Sequence, residues 1–470
     1  MKLKEKLRAS HEEKNRKEYG RAYDFLNLPG EEELSSFAEI RNSLLQSIAR
    51  TAKRGYSGTK TDVRNLSPGC RICAEGKWSC LFINGKCNAK CFYCPTSQDE
   101  VGIPATNALT FPQPGEYLEY IEKAGFKGVS ISGGEPFLTF ERSHEYITAI
   151  RKKFNSVYLW LYTNGTLVDE DKLKMLRDSG LNEIRFDIGA TGYNLKYLQK
   201  AIGIIPVVTV EIPAIPEDLE KMKTLMKKLS DMGVEHLNLH QLRLTPHNIN
   251  KLAHRPYTFL PGEKVTVIES EITALKLIKH GLDNNIPLPV NYCSFVYKNR
   301  YQGRGARTQA AKLIKPEYAG ITENGYIRRL FLEGEAKNLQ NTLEKFQQPG
   351  IPDKWYHYSE DEKRLYMHPA IMRETDNPSV QPGVSYEKAN ILSYKPPFGQ
   401  SKAIELHTGR EIYIVQQNMK TFRNLDSPEW QNLRKIAFQD TIKTQTKNSL
   451  PEEIHQYEFL PYGLQEYKHG

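Results

Sequence analysis

The chain has 470 residues and a formal net charge of +9, longer than one compact core usually holds, so two or three units are expected. No uninterrupted apolar run approaches the ~20 residues that span a bilayer, and residues 1–21 are charged throughout, without the apolar core of a signal peptide. Six of the seven cysteines fall between Cys70 and Cys94, which suits a reducing compartment better than paired secreted cysteines, so a soluble, cytoplasmic protein with no membrane partner is expected.

In chain order, residues 1–21 mix Glu5, Glu12, Glu13 and Glu18 among the basic residues and read as a frayed, solvated helix. Residues 30–54 place Leu34, Phe37, Leu44, Leu45 and Ile48 on one side of an amphipathic helix that should pack on the main domain. The cysteines come next, as Cys70-Arg-Ile-Cys73, Cys80 and Cys87-Asn-Ala-Lys-Cys91-Phe-Tyr-Cys94. Apolar runs bounded by turn residues predict strands at 79–83, 128–132, 157–162, 183–188, 206–211 and 236–240, with helical spacers such as 169–179 and 217–232 between them. Strands alternating with helices of this length build a parallel sheet that binds ligands at the C-terminal ends of its strands.

Cys87, Cys91 and Cys94 lie on the loop leaving the first of these strands, spaced CxxxCxxC. Three thiolates on a four-iron cluster leave one iron open for a ligand; the bare triplet also suits a zinc knuckle or a structural cluster. The next strand runs into Gly133-Gly134-Glu135-Pro136. On these two motifs, in this order, the chain resembles the radical S-adenosylmethionine (radical SAM) superfamily. The resemblance implies a 4Fe-4S cluster on Cys87, Cys91 and Cys94, whose open iron is chelated by the amino and carboxylate groups of SAM, with the GGEP backbone receiving the amino group. It also implies an α/β fold, a partial, TIM-like (β/α)6 barrel. Tyr93 matches the aromatic position near the adenine, and Thr163, Asn164 and Asp187 match strand ends used toward the ribose or methionine part. The stretch around His240 resembles the last-strand motif of pyruvate formate-lyase-activating enzymes, where the histidine approaches SAM. The residues themselves leave other readings open: Asp187 as a helix N-cap, His240 as a hydrogen-bonded core histidine, and Glu211 as either a SAM contact or a solvated rim charge.

Four cysteines remain, the number that closes a second metal site. Cys70, Cys73 and the isolated Cys293, with Cys80 as a fourth candidate, are expected to bind a second 4Fe-4S cluster or a structural zinc; Cys80 or Cys293 as plain buried thiols is the alternative. If Cys80 points into the core, the site keeps three thiolates and an open position. Residues 67–302, including Asn291-Tyr292-Cys293-Ser294, Lys298 and Gln302, resemble a radical SAM subgroup related to pyruvate formate-lyase activases, which implies fold and cofactors but no substrate.

The expected organisation is a helical extension at 1–66, the barrel at 67–290, an auxiliary cysteine and basic segment at 291–330, and a smaller α+β accessory domain at 331–470 that covers the barrel mouth. In that domain, 326–332 reads as a strand, 336–346 as a helix, 367–400 as a long loop rich in proline and glycine, and 404–414 as a hairpin. Residues 298–315 hold Lys298, Arg300, Arg304, Arg307, Lys312 and Lys315 with no acid, which suits an anionic partner, a solvated helix face, or neutralisation of cofactor charge. The expected activity is reductive cleavage of SAM, with an electron from a ferredoxin or flavodoxin, to modify a peptide, nucleic acid or metabolite. A glycyl-radical-enzyme activase, and a non-catalytic iron-sulfur or zinc protein that binds nucleic acid, are the alternatives.

Overall fold

Every second residue of the predicted strands is apolar and buried, as in Leu81 and Ile83, Val129 and Ile131, Leu159 and Leu161, and Leu237 and Leu239. Alternation at this period gives each strand one apolar face for helices and one face for the interior of a barrel. The computed structural model describes residues 3–374, 379–397, 399–438 and 450–467, and the chain divides into two units, Met1–Gln302 with Tyr462–Gly470, and Gly303–Pro461. The expected 291–330 segment is therefore split after Gln302, and the end of the expected 331–470 domain rejoins the first unit.

The first unit begins with α1 (Leu3–Tyr19) and α2 (Glu31–Ile48), a short antiparallel pair β1 (Arg54–Gly55) and β2 (Lys60–Thr61), and α3 (Pro68–Ala74). The end of α1 is not a solvated arm, because Tyr19 and Tyr23 are buried and the Tyr19 hydroxyl donates to the Leu244 carbonyl at 3.2 Å. Then come β3 (Trp78–Asn84), the small pair β4 (Ala105–Thr106) and β5 (Leu109–Thr110), α4 (Pro114–Ala124), β6 (Gly128–Gly133), α5 (Phe140–Lys153), β7 (Tyr158–Thr163), α6 (Glu170–Asp178), β8 (Glu183–Phe186), α7 (Lys196–Gln199), β9 (Val207–Pro213), α8 (Leu219–Asp231) and β10 (His236–His240). After α9 (Ile249–Leu252), the pair β11 (Phe259–Leu260) and β12 (Thr266–Val267), and α10 (Ile268–Asp283), the strand β13 (Val290–Cys293) returns beside β10.

The main sheet runs β1-β2-β13-β10-β9-β8-β7-β6-β3-β4-β5. From β3 to β13 every pairing is parallel, so β13 adds a seventh parallel strand to the six expected, and the short antiparallel pairs at the two ends leave a partial barrel. The helices bury the faces their spacing foretells: Met222, Met226 and Leu229 on α8, Leu173 and Leu176 on α6. Asp169 caps α6 by accepting the Lys172 amide at 2.8 Å.

The inward face is polar, and its charges pair. Buried Arg185 donates to Glu183 at 2.8 Å, to Glu211 at 2.6 Å and to the Ser67 hydroxyl at 3.2 Å, which satisfies a guanidinium that would be costly to bury alone. This cluster seats α3. Ser67 caps the helix by accepting the Cys70 amide at 3.2 Å, Pro68 occupies its first turn, and a Cβ on Gly69 would lie 2.5 Å from the Arg185 guanidinium. Cys70 and Cys73, three residues apart on α3, share one helix face.

The second unit is α+β, with seven antiparallel strands and flanking helices. The expected strand, helix and hairpin appear at Ile327–Gly334, Ala336–Phe346, and Ser401–Glu405 with Glu411–Phe422. The expected loop at 367–400 is corrected: it contains the strand Val380–Leu392, paired with Ile327–Gly334, while 375–378 and 398 lie outside the described residues. Pro382 and Gly383 disguise this strand; Gly383 is needed because the Phe331 ring lies 2.4 Å from where a Cβ would stand. Among the described residues no helix is long and apolar enough to cross a membrane.

Candidate active site

Two glycines draw the cysteine loop onto the end of β6. The Gly134 amide donates to the Asn84 carbonyl at 2.9 Å and the Glu135 amide to the Lys86 carbonyl at 2.8 Å. A Cβ on Gly133 would meet the Asn84 oxygen at 2.0 Å, one on Gly134 would meet the Lys86 oxygen at 2.0 Å, and Gly133 has φ +124°, so no side chain fits either position. The residues leading into Cys87 are thereby held against the GGEP turn. The Glu135 carboxylate accepts from the Phe137 amide at 3.0 Å, the Thr163 hydroxyl at 2.8 Å and the Asn164 amide at 2.7 Å, tying the end of β6 to the end of β7. Burial raises its pKa to about 6 against the pull of those bonds. The Asn164 side chain in turn donates to Asn88 at 2.8 Å and to the Cys87 sulfur at 3.7 Å. Pro136 is buried and opens the single turn Pro136–Thr139.

Tyr93 links this loop to β8. Its hydroxyl donates to the Asp187 carboxylate at 2.9 and 3.0 Å, while Asp187 also caps the following turn by accepting the Ala190 amide at 3.3 Å; the acid is both N-cap and partner of the loop. Burial raises the Asp187 pKa to about 6, opposed by the Tyr93 bond. A carboxyl raised in the folded state favours the protonated fold, so its contribution is complete below the unfolded value near 4 and is lost as pH rises through about 6. Tyr93→Phe should move the upper edge of that window to higher pH and cost about 1–3 kcal/mol at neutral pH, where the ionised acid loses its donor. Denaturant unfolding between pH 4 and 8 reads both effects.

Burial raises the Cys87 thiol and pushes Cys91 up to about 12, so these thiols carry protons until a metal displaces them. Among the described residues no three His, Cys, Asp or Glu side chains close around a point that a single ion could occupy. Zinc, at Zn–S of about 2.3 Å, needs its sulfurs gathered that tightly, whereas a four-iron cluster gives each thiolate its own iron. Three half-buried thiols stand on this one short loop, the number that leaves one iron of a four-iron cluster open.

A second group of thiols lines a cavity of about 100 Å³ in the barrel interior. Cys70 accepts from Asn238 at 3.3 Å, Cys73 from Gln302 at 2.8 Å, and Cys293 from the Lys60 ammonium at 2.5 Å. Cys80 is not among them: it sits on β3, does not line the cavity, and burial pushes its thiol up to about 11. His240 lines this second cavity, its Nε2 2.6 Å from Glu211, and burial together with Lys298 lowers its pKa to about 4. Glu211 is neither solvated nor on a rim. Burial alone would raise it, but Arg185 and His240 outweigh burial and hold it well below the carboxylate range. Lys60 and Asn238 were not foreseen: a two-residue strand has no periodicity to read, and a lysine in a Gly-Thr-Lys-Thr run looks solvated. Of the basic segment, Lys298 lines the same cavity, Arg300 bonds Glu263 at 2.8 Å, and in the second unit Arg304 and Arg307 donate to the Glu323 and Asn324 carbonyls.

The family model of the Radical SAM superfamily matches residues 81–242, the stretch from β3 to just past β10. A protein of Methanocaldococcus jannaschii named "Putative glycyl-radical enzyme activating enzyme" is 31% identical over 298 residues, 60% of this chain and 78% of that relative. The GTP 3′,8-cyclase of Aquifex aeolicus is 30% identical over 137 residues, covering 28% of this chain and 42% of the cyclase. Among solved structures, Streptococcus suis SuiB bound to S-adenosylmethionine aligns at 13% identity over 48% of this chain and 55% of SuiB with a TM-score of 0.36, too low to argue from. With its cysteine loop, GGEP turn and parallel partial barrel, the chain belongs to the radical SAM superfamily, enzymes that use a 4Fe-4S cluster and S-adenosylmethionine.

Proposed function

We propose that Cys87, Cys91 and Cys94 hold the 4Fe-4S cluster, and that Tyr93, Gly133, Gly134, Glu135, Pro136, Thr163, Asn164 and Asp187 form the SAM site, in an enzyme that modifies a peptide, nucleic acid or metabolite. The observation that carries the reading is the backbone approach at Gly133 and Gly134, which sets the cysteine loop against the strand end. With cluster and SAM bound, one-electron reduction cleaves SAM to methionine and a 5′-deoxyadenosyl radical that removes a hydrogen atom from the substrate. The chain's own groups position: Glu135 holds the ends of β6 and β7 together, and the Tyr93–Asp187 contact fixes the cysteine loop to β8. The electron comes from a ferredoxin or flavodoxin, and an oxygen-sensitive cluster suits the reducing cytoplasm. Lys298 beside the inner cavity favours charge neutralisation over a polyanion grip, although an anionic substrate stays within the reading.

A second reading is an activase that installs a glycyl radical on a partner protein. The name of the M. jannaschii relative favours it; the additional unit Gly303–Pro461 favours a substrate-modifying enzyme. Anaerobic reduction with dithionite and SAM should yield 5′-deoxyadenosine under either reading, and its absence refutes both. Incubation with a candidate glycyl-radical enzyme then separates them: a glycyl doublet in the EPR spectrum of the partner establishes the activase.

A further inference from the structure

We infer that Cys70, Cys73, Cys293 and the Nδ1 atom of His240 form a second, closed iron–sulfur site inside the barrel. The three thiols arrive from α3 and β13, and each receives its own donor: Asn238, Gln302 or Lys60. Lys60 is 1% exposed and makes no ion pair with a carboxylate among the described residues; it meets the Cys293 sulfur at 2.5 Å and the Tyr297 ring at 4.9 Å. An ammonium withdrawn from water needs an anion beside it, and a metal-bound Cys293 thiolate would supply one.

His240 supplies the fourth corner. It is the register partner of Cys293 on the neighbouring strand and lines the same cavity. Its Nε2 is taken by Glu211 at 2.6 Å, while its Nδ1 is buried with no partner among the described residues. A histidine that binds metal through one nitrogen usually gives the other to a carboxylate, which fixes its ring and tautomer; Glu211, itself anchored by Arg185 at 2.6 Å, does this for His240. Cys80, which does not line this cavity, is not required. Cys70, Cys73, Cys293 and His240 all line one cavity of about 100 Å³, and three thiolates with one imidazole form a donor set that an iron–sulfur cluster takes; zinc, which takes the same donors, is the competing occupant that iron and zinc analysis separates. A site with four protein ligands has no open iron; it carries electrons instead of binding substrate, and a neutral imidazole in place of a thiolate raises its potential.

Anaerobic reconstitution in the absence of SAM tests this. The wild-type protein should hold about eight irons and eight sulfides per chain, and the Cys87→Ala, Cys91→Ala, Cys94→Ala triple variant about four of each. Because the triple variant has lost the first cysteine loop, its metal content reports on the second site whether or not the SAM-cleaving reading holds. Pulsed EPR of its reduced cluster should show nitrogen hyperfine coupling that disappears in His240→Ala, and His240→Cys should shift the reduction potential downward. No iron in the folded triple variant, or one zinc in its place, overturns the cluster; a cluster without nitrogen coupling overturns the histidine. If the triple variant fails to fold, the wild-type protein decides the same two points: about eight irons, with nitrogen coupling that is lost in His240→Ala, supports the site, and a cluster without that coupling overturns it.

Discussion

Replacing Cys87, Cys91 or Cys94 singly by alanine should abolish formation of 5′-deoxyadenosine from SAM under dithionite. One missing thiolate leaves a three-iron or absent cluster in place of four irons with one open position, and no neighbouring side chain compensates: Asn164 reaches the Cys87 sulfur only as a donor, at 3.7 Å, and Tyr93 is committed to Asp187. The loss should exceed about a thousandfold, since the cofactor carries the chemistry and the protein supplies position. Full activity in any one of the three variants would remove that cysteine from the ligand set. The same assay on Cys80→Ala should show near wild-type turnover, because Cys80 lies on β3, outside the cysteine loop, and does not line the cavity of the other thiols.

The second large effect is steric. Gly134→Ala forces a Cβ to within 2.0 Å of the Lys86 carbonyl oxygen, and Gly133→Ala does the same at Asn84 while also demanding φ +124° of a residue with a side chain. The backbone cannot yield without breaking the Gly134–Asn84 and Glu135–Lys86 hydrogen bonds, so each variant should lose about 3–5 kcal/mol, in the range of the most damaging single substitutions. Iron content should fall alongside stability, because the loop released is the one that carries Cys87. Equilibrium unfolding and iron analysis on the same preparation check both, and an alanine variant that keeps its stability and iron would show that the turn is not what seats the cysteines.

The six strands from β3 to β10 were readable in the sequence because each pairs apolar alternation with turn residues at its ends, and two independent motifs at strand ends identified the cofactors. The strand Val380–Leu392 was hidden by Pro382 and Gly383, whose meaning depends on Phe331 across the sheet. That Val290–Cys293 adds a parallel strand beside β10 and so sets Cys293 next to His240 is a matter of register. Asp187 was readable as a cap or as a ligand-facing acid; that it caps its own turn while holding Tyr93 depends on a contact between residues 94 positions apart.

By itself the sequence determined the family, through the cysteine loop and the GGEP turn, and the parallel α/β frame, because cysteine spacing, glycine and period-two alternation are local properties of the chain. Only the tertiary structure decided which leftover thiols line one cavity, that Cys80 does not, and that Lys60, Asn238 and Gln302 each reach one sulfur. The physical reason is distance along the chain: Lys60 and Cys293 are brought to 2.5 Å across 233 positions by the antiparallel pairing of β2 with β13, and no local pattern encodes that closure.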